Sequence, residues 1–225
     1  MITLVLGMLL MTAFAHADEV AFPTGDGGVV HADLYGTGGR GVVLAHGMRF
    51  DKASWKDQAT QLASAGFRVA AIDFRGYGKS HGGPKSHSPR DEMYLDVLAA
   101  VDYLREHGVK SVAVIGASMG GGASANAAVK AKPGAIDRLI LLAPAPIESP
   151  ERIAAPKLFI SAQGDPITPQ VREQFQKAPE PKEILILDGS AHAQFLFGTD
   201  QGGRLMKAIL KFLSAAPSPS SKPAQ

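Results

Sequence analysis

Short apolar runs alternate with longer helical patterns along most of this chain, and that alternation restricts the fold more than any other feature. The runs that predict strands are residues 29–35, 41–45, 67–72, 111–115, 139–142, 157–161 and 182–187. Helical patterns lie between or after them, over residues 54–65, 89–107, 119–131, 169–177 and 201–213. Strands that are apolar on both faces and separated by helices are typical of a parallel sheet with helices on both sides. The sequence therefore predicts an α/β fold.

Composition indicates one domain and excludes several classes of function. The chain has 225 residues, of which 45% are hydrophobic and 20% charged, enough apolar material for a single sizeable core. Its formal net charge is only +2 and its basic residues form no contiguous block, so nucleic acid is not expected as a partner. Cysteine is absent, which excludes disulfides, thiolate metal sites and a cysteine nucleophile.

The two ends of the chain differ from the alternating part. Residues 2–14 are an apolar run that closes on Ala15-His16-Ala17, the pattern of a secretory signal peptide, although no Lys or Arg precedes it. The run is too short to span a bilayer, and a buried N-terminal element is the alternative. We expect residues 1–17 to be a signal peptide and the protein to be exported, periplasmic or secreted, without stable membrane insertion. Residues 214–225, rich in Ala, Pro and Ser, predict a disordered tail after a folded domain at 18–213.

The sharpest chemical signal is a G-x-S-x-G pattern between a predicted strand and a predicted helix. It reads Gly116-Ala117-Ser118-Met119-Gly120. In such a turn, side chains two residues to either side of the serine would collide, so glycine is needed at both positions. The turn holds the serine hydroxyl clear of the sheet, with the next backbone N–H directed into the same space. This context favours Ser118 as a nucleophile over a merely structural turn.

A nucleophilic serine needs a base and an orienting acid, which follow it along the chain in this architecture. His192 is the only histidine downstream of Ser118 and follows the last predicted strand, so it is the candidate base. Asp165, in a turn-rich loop after the strand at 157–161, is the preferred acid. Asp188, four residues before His192, is the competing candidate.

The loop after the strand at 41–45 supplies candidate donors for an oxyanion. It reads Ala45-His46-Gly47-Met48, and Gly47 lets the backbone approach a substrate. We expect the backbone N–H groups of Met48 and Met119 to form the oxyanion hole. His46 precedes Ser118 in the chain, and we expect it to brace the loop and to leave the base role to His192.

These motifs together resemble the α/β-hydrolase family over roughly residues 20–213. The resemblance rests on His46-Gly47-Met48, Asp73-Phe74-Arg75-Gly76-Tyr77-Gly78-Lys79-Ser80, Gly116 to Gly120, Asp165 and His192. It implies an eight-stranded, mostly parallel sheet with helices on both faces and a triad of Ser118, His192 and Asp165. It also implies structural hydrogen bonds for Asp73 and Arg75. Only Pro144 to Pro156 separates the strand at 139–142 from the next, so no cap domain is expected.

The expected function is that of a serine hydrolase that cleaves carboxylic esters, thioesters included, of small or short-acyl substrates. An amidase or peptidase on the same triad is one alternative, and a non-catalytic binding protein with this fold is another. Neither a metal nor an organic cofactor is expected, because the remaining histidines are scattered without ligand spacing. They are His31, His81, His87 and His107.

Overall fold

A computed structural model describes residues 17–84 and 90–215 of the chain. Its eight strands form one sheet in the order β1-β2-β4-β3-β5-β6-β7-β8. The strands are β1 Asp18–Pro23, β2 Val29–Tyr35, β3 Arg40–Ala45, β4 Phe67–Ile72, β5 Ser111–Ala117, β6 Arg138–Leu142, β7 Lys157–Ala162 and β8 Lys182–Leu187. β2 runs antiparallel to both β1 and β4, and all other neighbours are parallel. The mostly parallel eight-stranded sheet of an α/β-hydrolase fold is confirmed.

Helices cover both faces of the sheet. They are α1 Lys56–Ser64, α2 Met93–Glu106, α3 Met119–Lys130, α4 Thr168–Lys177 and α5 Gly202–Ser214, with 3₁₀ turns at Lys52–Trp55, Pro150–Arg152 and Ala193–Gly198. Buried residues of α2, α3 and α4 belong to one apolar cluster, and those of α1 and α5 belong to a second. The sheet therefore lies between two cores.

The central strands are continuously apolar because each contributes to both cores. Successive side chains of a strand point to opposite faces, so Val43 packs in the first cluster while its neighbours Val42 and Leu44 pack in the second. β6 alternates in the same way, with Leu141 in the first cluster and Leu142 in the second. This two-sided burial explains why the strands read as apolar runs without a polar alternation.

Several element boundaries differ from the sequence-based expectation. β1 was not predicted as a strand, because it lies at the edge of the sheet and only Phe22 of its six residues is buried. The predicted helix at 54–65 begins as a 3₁₀ turn before α1. α2 begins at Met93, later than predicted, and residues 85–89 lie outside the described residues. The predicted signal peptide, apart from Ala17, and the predicted tail beyond residue 215 also lie outside them.

The connection from β6 to β7 is short, as the sequence predicts. Residues 143–156 hold one 3₁₀ turn, Pro150–Arg152, and no inserted cap domain. Over the ranges 17–84 and 90–215, no helix has the length and apolar character needed to cross a membrane. The carboxyl ends of β3, β5, β7 and β8 meet at one edge of the sheet, where open α/β sheets place their sites.

Candidate active site

Ser118 occupies a strained turn between β5 and α3. Its φ of 51° and ψ of −114° lie in a region that non-glycine residues rarely adopt. A Cβ on Gly116 would collide with the carbonyl of Gly120, and a Cβ on Gly120 would collide with the carbonyls of Ala45 and His46. Glycine is thus required on both sides of Ser118, and the turn presents the partly exposed hydroxyl above the sheet edge.

The structure brings Ser118, His192 and Asp165 into one hydrogen-bonded chain. Nε2 of His192 lies 2.9 Å from Oγ of Ser118, and Nδ1 of His192 lies 2.7 Å from Oδ2 of Asp165. Because a carboxylate only accepts, we assign the ring proton to Nδ1, which leaves Nε2 free to accept the serine proton. The imidazole is partly exposed to solvent, whereas the Asp165 carboxylate is buried.

The loop between β7 and α4 aims the Asp165 carboxylate at the imidazole. Oδ1 of Asp165 accepts from the backbone N–H of Ile167 at 3.2 Å, and its backbone carbonyl accepts from Thr168 N–H at 2.9 Å. The other carboxylate oxygen is left for His192. The competing acid, Asp188, is exposed and lies 3.9 Å from Arg204, so the structure places Asp165 beside the base.

Met48 and Met119, whose backbone N–H groups are the expected oxyanion donors, line the same cleft as Ser118. Met119 is the first residue of α3, and the first N–H groups of a helix have no intrahelical partner. Met48 follows Gly47 in a turn closed by the N–H of Phe50 on the carbonyl of Gly47. A Cβ on Gly47 would come within 3.5 Å of Cβ of Ser118, which shows how closely this loop approaches the serine.

His46 braces this loop, as expected from the sequence. Its Nδ1 donates to the carbonyl of Gly47 at 2.8 Å, and its Nε2 accepts from the N–H of Phe74 at 3.3 Å. The ring is fully buried, in edge contact with Phe74 and Tyr77. Burial lowers the pKa of His46, which favours the neutral form that these two hydrogen bonds require.

Gln194 is a contact that sequence reasoning missed. Its Oε1 accepts from the N–H of Gly47 at 2.7 Å, and its Nε2 donates to Oγ of Ser54 at 2.9 Å. The side chain therefore ties the loop after His192 to the loop that carries Met48. The available signal was a lone amide inside the otherwise apolar run Ala193–Phe197.

The loop after β4 contributes to a buried charge network. The guanidinium of Arg75 is 1% exposed and pairs with Asp96 at 2.7 Å and with Asp26 at 2.8 Å. Oδ1 of Asp73 accepts from the backbone N–H of Lys52 at 2.8 Å. These contacts join α2, the turn between β1 and β2, and the start of the first 3₁₀ turn, which agrees with the structural role expected for Asp73 and Arg75.

A cleft of about 430 Å³ opens beside Ser118 along α3. Its apolar lining includes Met48, Met93, Met119, Ala123 and Ala145, and its polar lining includes Arg90, Asp91, Asn126 and Glu148. A larger cavity of about 780 Å³ lies at the opposite edge of the sheet, where β3, β5 and β6 begin at Arg40, Ser111 and Arg138. The cleft, and not the larger cavity, is next to the reactive groups.

A family model provides the first comparison with known proteins. The model described as "Serine aminopeptidase, S33" matches residues 39–151, half of the chain. The chain belongs to this family of α/β-hydrolases. The matched stretch of this hydrolase holds Met48 and Ser118, whereas Asp165 and His192 lie beyond it.

Curated relatives of this hydrolase match over shorter stretches. The non-heme chloroperoxidase of Streptomyces lividans is 32% identical over 124 residues, which cover 55% of this chain and 44% of the relative. The bifunctional epoxide hydrolase 2 of Sus scrofa is 39% identical over 85 residues, which cover 37% of this chain and 15% of the relative. The chain spans less than half the length of these relatives.

Solved structures share the fold of this hydrolase over most of its length. An esterase of Pyrococcus furiosus gives a TM-score of 0.78 at 19% identity, covering 91% of this chain and 94% of that chain. An esterase from Exiguobacterium antarcticum gives a TM-score of 0.72 at 14% identity, covering 87% and 99%. At these identities the likeness shows the α/β-hydrolase fold alone.

In the part of the chain that the structure describes, no group of three or more His, Asp or Glu side chains is arranged to hold a metal ion. Three of the four scattered histidines are described there: His31 is partly buried, and His81 and His107 are exposed. His87 lies outside the described residues.

Proposed function

We propose that this hydrolase cleaves carboxylic esters, thioesters included, by a serine acyl-enzyme mechanism. The observation that carries the proposal is the hydrogen-bonded chain from Ser118 Oγ through His192 to Asp165. A nucleophile within hydrogen-bond reach of a base, with the base oriented by a third group, is the arrangement that activates a serine.

In the first step, Oγ of Ser118 attacks the ester carbonyl carbon while its proton passes to Nε2 of His192. The carbonyl oxygen becomes an oxyanion, which the N–H groups of Met48 and Met119 stabilise as charge develops. The bond to the alcohol oxygen then breaks, and His192 returns the proton to that oxygen. The product of this step is an alcohol and an acyl group on Ser118.

In the second step, water replaces the alcohol. His192 accepts a proton from water, the hydroxyl attacks the acyl carbon, and the bond to Ser118 Oγ breaks with return of the proton to Oγ. Asp165 holds the imidazole in the required tautomer and stabilises the positive charge that it carries during both steps. The enzyme is regenerated without a further reactant.

We propose that the acyl group lies in the cleft along α3 and is short. Ala123 lies four residues, about 6 Å, beyond Met119 along the helix axis, and Asn126 follows about 4.5 Å farther. The lining becomes polar there, with Asn126 and Glu148. A CH₂ group contributes about 0.8 kcal/mol only where it is buried against apolar atoms. We therefore expect acyl groups of about two to six carbons to be preferred.

A panel of p-nitrophenyl esters tests this function. We expect kcat/KM to peak between acetate and hexanoate, and the rate to vary smoothly through each substrate's solubility limit. A preference for acyl chains of twelve carbons or more, or a jump in rate at the solubility limit, contradicts the short-acyl part. Absence of turnover across the whole panel contradicts the esterase function.

Aminopeptidase activity is the second candidate, supported by the family description and by two carboxylates in the cleft. Asp91 and Glu148 line the space proposed for the acyl group, where an aminoacyl substrate would carry its ammonium group. Aminoacyl p-nitroanilides measured beside the ester panel separate the two functions. Faster turnover of the anilides, lost in Glu148→Gln, would support the aminopeptidase.

We also propose that the protein is exported and that cleavage occurs near Ala17. The support is the apolar run at 2–14, which ends in small residues. Intact mass of the protein purified from its native cells tests it: a chain beginning near Asp18 is expected, and a chain that retains residues 1–17 contradicts it.

A further inference from the structure

Two large apolar side chains are more than half exposed among the described residues, and each belongs to a loop that carries a proposed site residue. They are Met48, at 52% exposure, in the loop after β3, and Phe195, at 51%, three residues after His192. Exposed apolar groups that gather at one place on a soluble protein commonly mark a binding surface. Met48 lines the cleft along α3, so the acyl site already accounts for it. Phe195 has no such role and calls for an explanation.

Phe195 forms an aromatic pair with Phe50. The two ring centroids are 5.0 Å apart at an interplanar angle of 57°, within the range in which aromatic rings attract one another. Phe50 closes the turn that carries Met48, and Phe195 closes the turn that follows His192, through its N–H on the His192 carbonyl at 3.0 Å. The pair therefore joins the oxyanion loop to the loop of the base.

Phe50 lies close to the nucleophile, and neither ring of the pair lines the cleft. Cδ2 of Phe50 and Cβ of Ser118 are each 3.5 Å from the position that a Cβ on Gly47 would take, so they are at most about 7 Å from each other. Neither aromatic ring is among the described residues that line the cleft. Ser118 therefore borders the cleft, and Phe50, which is not part of the cleft lining, lies within about 7 Å of it.

The chemistry of ester cleavage determines which part of the substrate lies near His192. The protonated Nε2 must reach the alcohol oxygen to release it, so the alcohol part extends from the serine toward the imidazole. Phe195 belongs to the turn that begins at His192. With the acyl group in the cleft, as proposed above, the alcohol part would extend toward the loop that carries Phe195.

We propose that Phe50 and Phe195 form a subsite for an aromatic or bulky apolar alcohol part of the ester, a proposal that rests on the esterase function above. The exposed face of Phe195 offers a ring to stack on, and its partner Phe50 is half-buried and fixed by the turn at Gly47. The subsite would give the enzyme selectivity for the alcohol that is independent of its selectivity for the acyl group.

Matched acetate esters test the subsite, because they share one acyl group and differ only in the alcohol. We would measure kcat/KM for benzyl acetate and ethyl acetate with the parent, Phe195→Ala and Phe195→Leu, and inhibition of the parent by benzyl alcohol. The parent should prefer benzyl acetate. Phe195→Ala should lower kcat/KM about three- to tenfold for the benzyl ester and less than twofold for the ethyl ester, as expected for loss of one aromatic contact. The kcat/KM of Phe195→Leu for benzyl acetate should lie between that of the parent and that of Phe195→Ala.

Asn126→Ala serves as the matched control on the acyl side. It should change the ratio of butyrate to acetate esters and leave the ratio of benzyl to ethyl esters as in the parent. Equal losses for both alcohols in Phe195→Ala, or no preference for benzyl acetate in the parent, would overturn the subsite while ethyl acetate turnover keeps the esterase function. If no acetate ester is cleaved, the esterase function fails. Binding of benzyl alcohol, followed by NMR of the Phe195 ring, then tests the subsite without turnover. A shift of the Phe195 ring resonances on its addition supports the subsite, and no shift overturns it.

Discussion

Oε1 of Gln194 accepts a hydrogen bond from the backbone N–H of Gly47 at 2.7 Å. Gly47 immediately precedes Met48, whose N–H is one of the two proposed oxyanion donors. The side chain that fixes this donor therefore comes from the turn just after the proposed base, His192. One amide side chain, which is 7% exposed, thus connects the loop of the proposed base to the loop of the proposed oxyanion donor.

Replacement of Gln194 by Met should lower kcat about tenfold with KM changed less than twofold. Removal of a whole oxyanion donor costs about 10²- to 10³-fold, and this variant only loosens the loop that carries one. Ser54→Ala is the matched control, because it removes the other partner of Gln194 and leaves the contact to Gly47. Steady-state kinetics check both variants. A raised KM at unchanged kcat, or an equal effect of Ser54→Ala, would contradict a positioning role.

Asp165→Asn should lower kcat by about 10³- to 10⁴-fold, because an amide favours the wrong tautomer of His192. Asp188→Asn, at an exposed carboxylate, should change kcat less than about twofold, since exposed ion pairs contribute little. The two variants remove one charge each, so the comparison controls for net charge. If Asp188→Asn were the more damaging of the two, the acid would have to be reassigned.

Much of this site could be predicted from the sequence, because local backbone geometry requires particular residues at particular positions. Gly116 and Gly120 are imposed by collisions with neighbouring carbonyls, so the turn around Ser118 is visible in the pattern itself. The strands from β3 to β7 are visible for a similar reason, since burial on both faces makes them continuously apolar. β1 was missed because its edge position exposes most of its side chains.

The remaining features depend on loops that meet only in the folded chain. Gln194 reaches Gly47 across 147 residues of sequence, and Phe195 contacts Phe50 across a similar separation. No periodicity links such positions. The choice of Asp165 over Asp188 was favoured by chain order, and the structure adds the distance to His192 and the burial that distinguish the two carboxylates.

Arg75→Met should destabilise the fold by about 3–5 kcal/mol at neutral pH, because it leaves the buried Asp96 carboxylate without its partner. Burial raises the pKa of Asp96, although hydrogen bonds from Arg75 lower it. Without Arg75 that pKa should rise further. A carboxyl group whose pKa is raised in the folded state favours folding at low pH, and this contribution is lost as the pH rises. The free energy of unfolding of the variant should therefore be closer to that of the parent at pH 5 than at pH 8.

Urea unfolding at the two pH values checks this prediction. The double variant Arg75→Met/Asp96→Leu is the control, and it should recover part of the lost stability at pH 8, since it removes the uncompensated charge. A loss for Arg75→Met that is the same at pH 5 and pH 8 would show that the Asp96 carboxylate is not its cause.

Lys157 should make stability depend on pH in the alkaline range. It is fully buried at the start of β7, its Nζ donates to the carbonyl of Pro179 at 2.6 Å, and burial lowers its pKa to about 8. An unfolded lysine keeps its proton up to about pH 10.4. Between these values the unfolded chain binds more protons than the folded one, so this group's contribution to stability rises with pH.

The free energy of unfolding should be measured for the parent and for Lys157→Met at pH 7, 8.5 and 10. The parent's value minus that of the variant should increase with pH. Lys207→Met, at an exposed position of α5, controls for the loss of one lysine. Its free energy of unfolding should depend on pH as that of the parent does. A difference between parent and Lys157→Met that stays constant over this range is the contrary result.

The most direct measurement for the whole account is covalent labelling of Ser118. A fluorophosphonate probe reacts with an activated serine, and peptide mass spectrometry identifies the residue that it modifies. We predict one phosphonate on Ser118 in the parent, none in Ser118→Ala, loss of ester turnover in that variant, and an unfolding temperature close to that of the parent. An unlabelled parent, or turnover retained by Ser118→Ala, would contradict the serine acyl-enzyme mechanism.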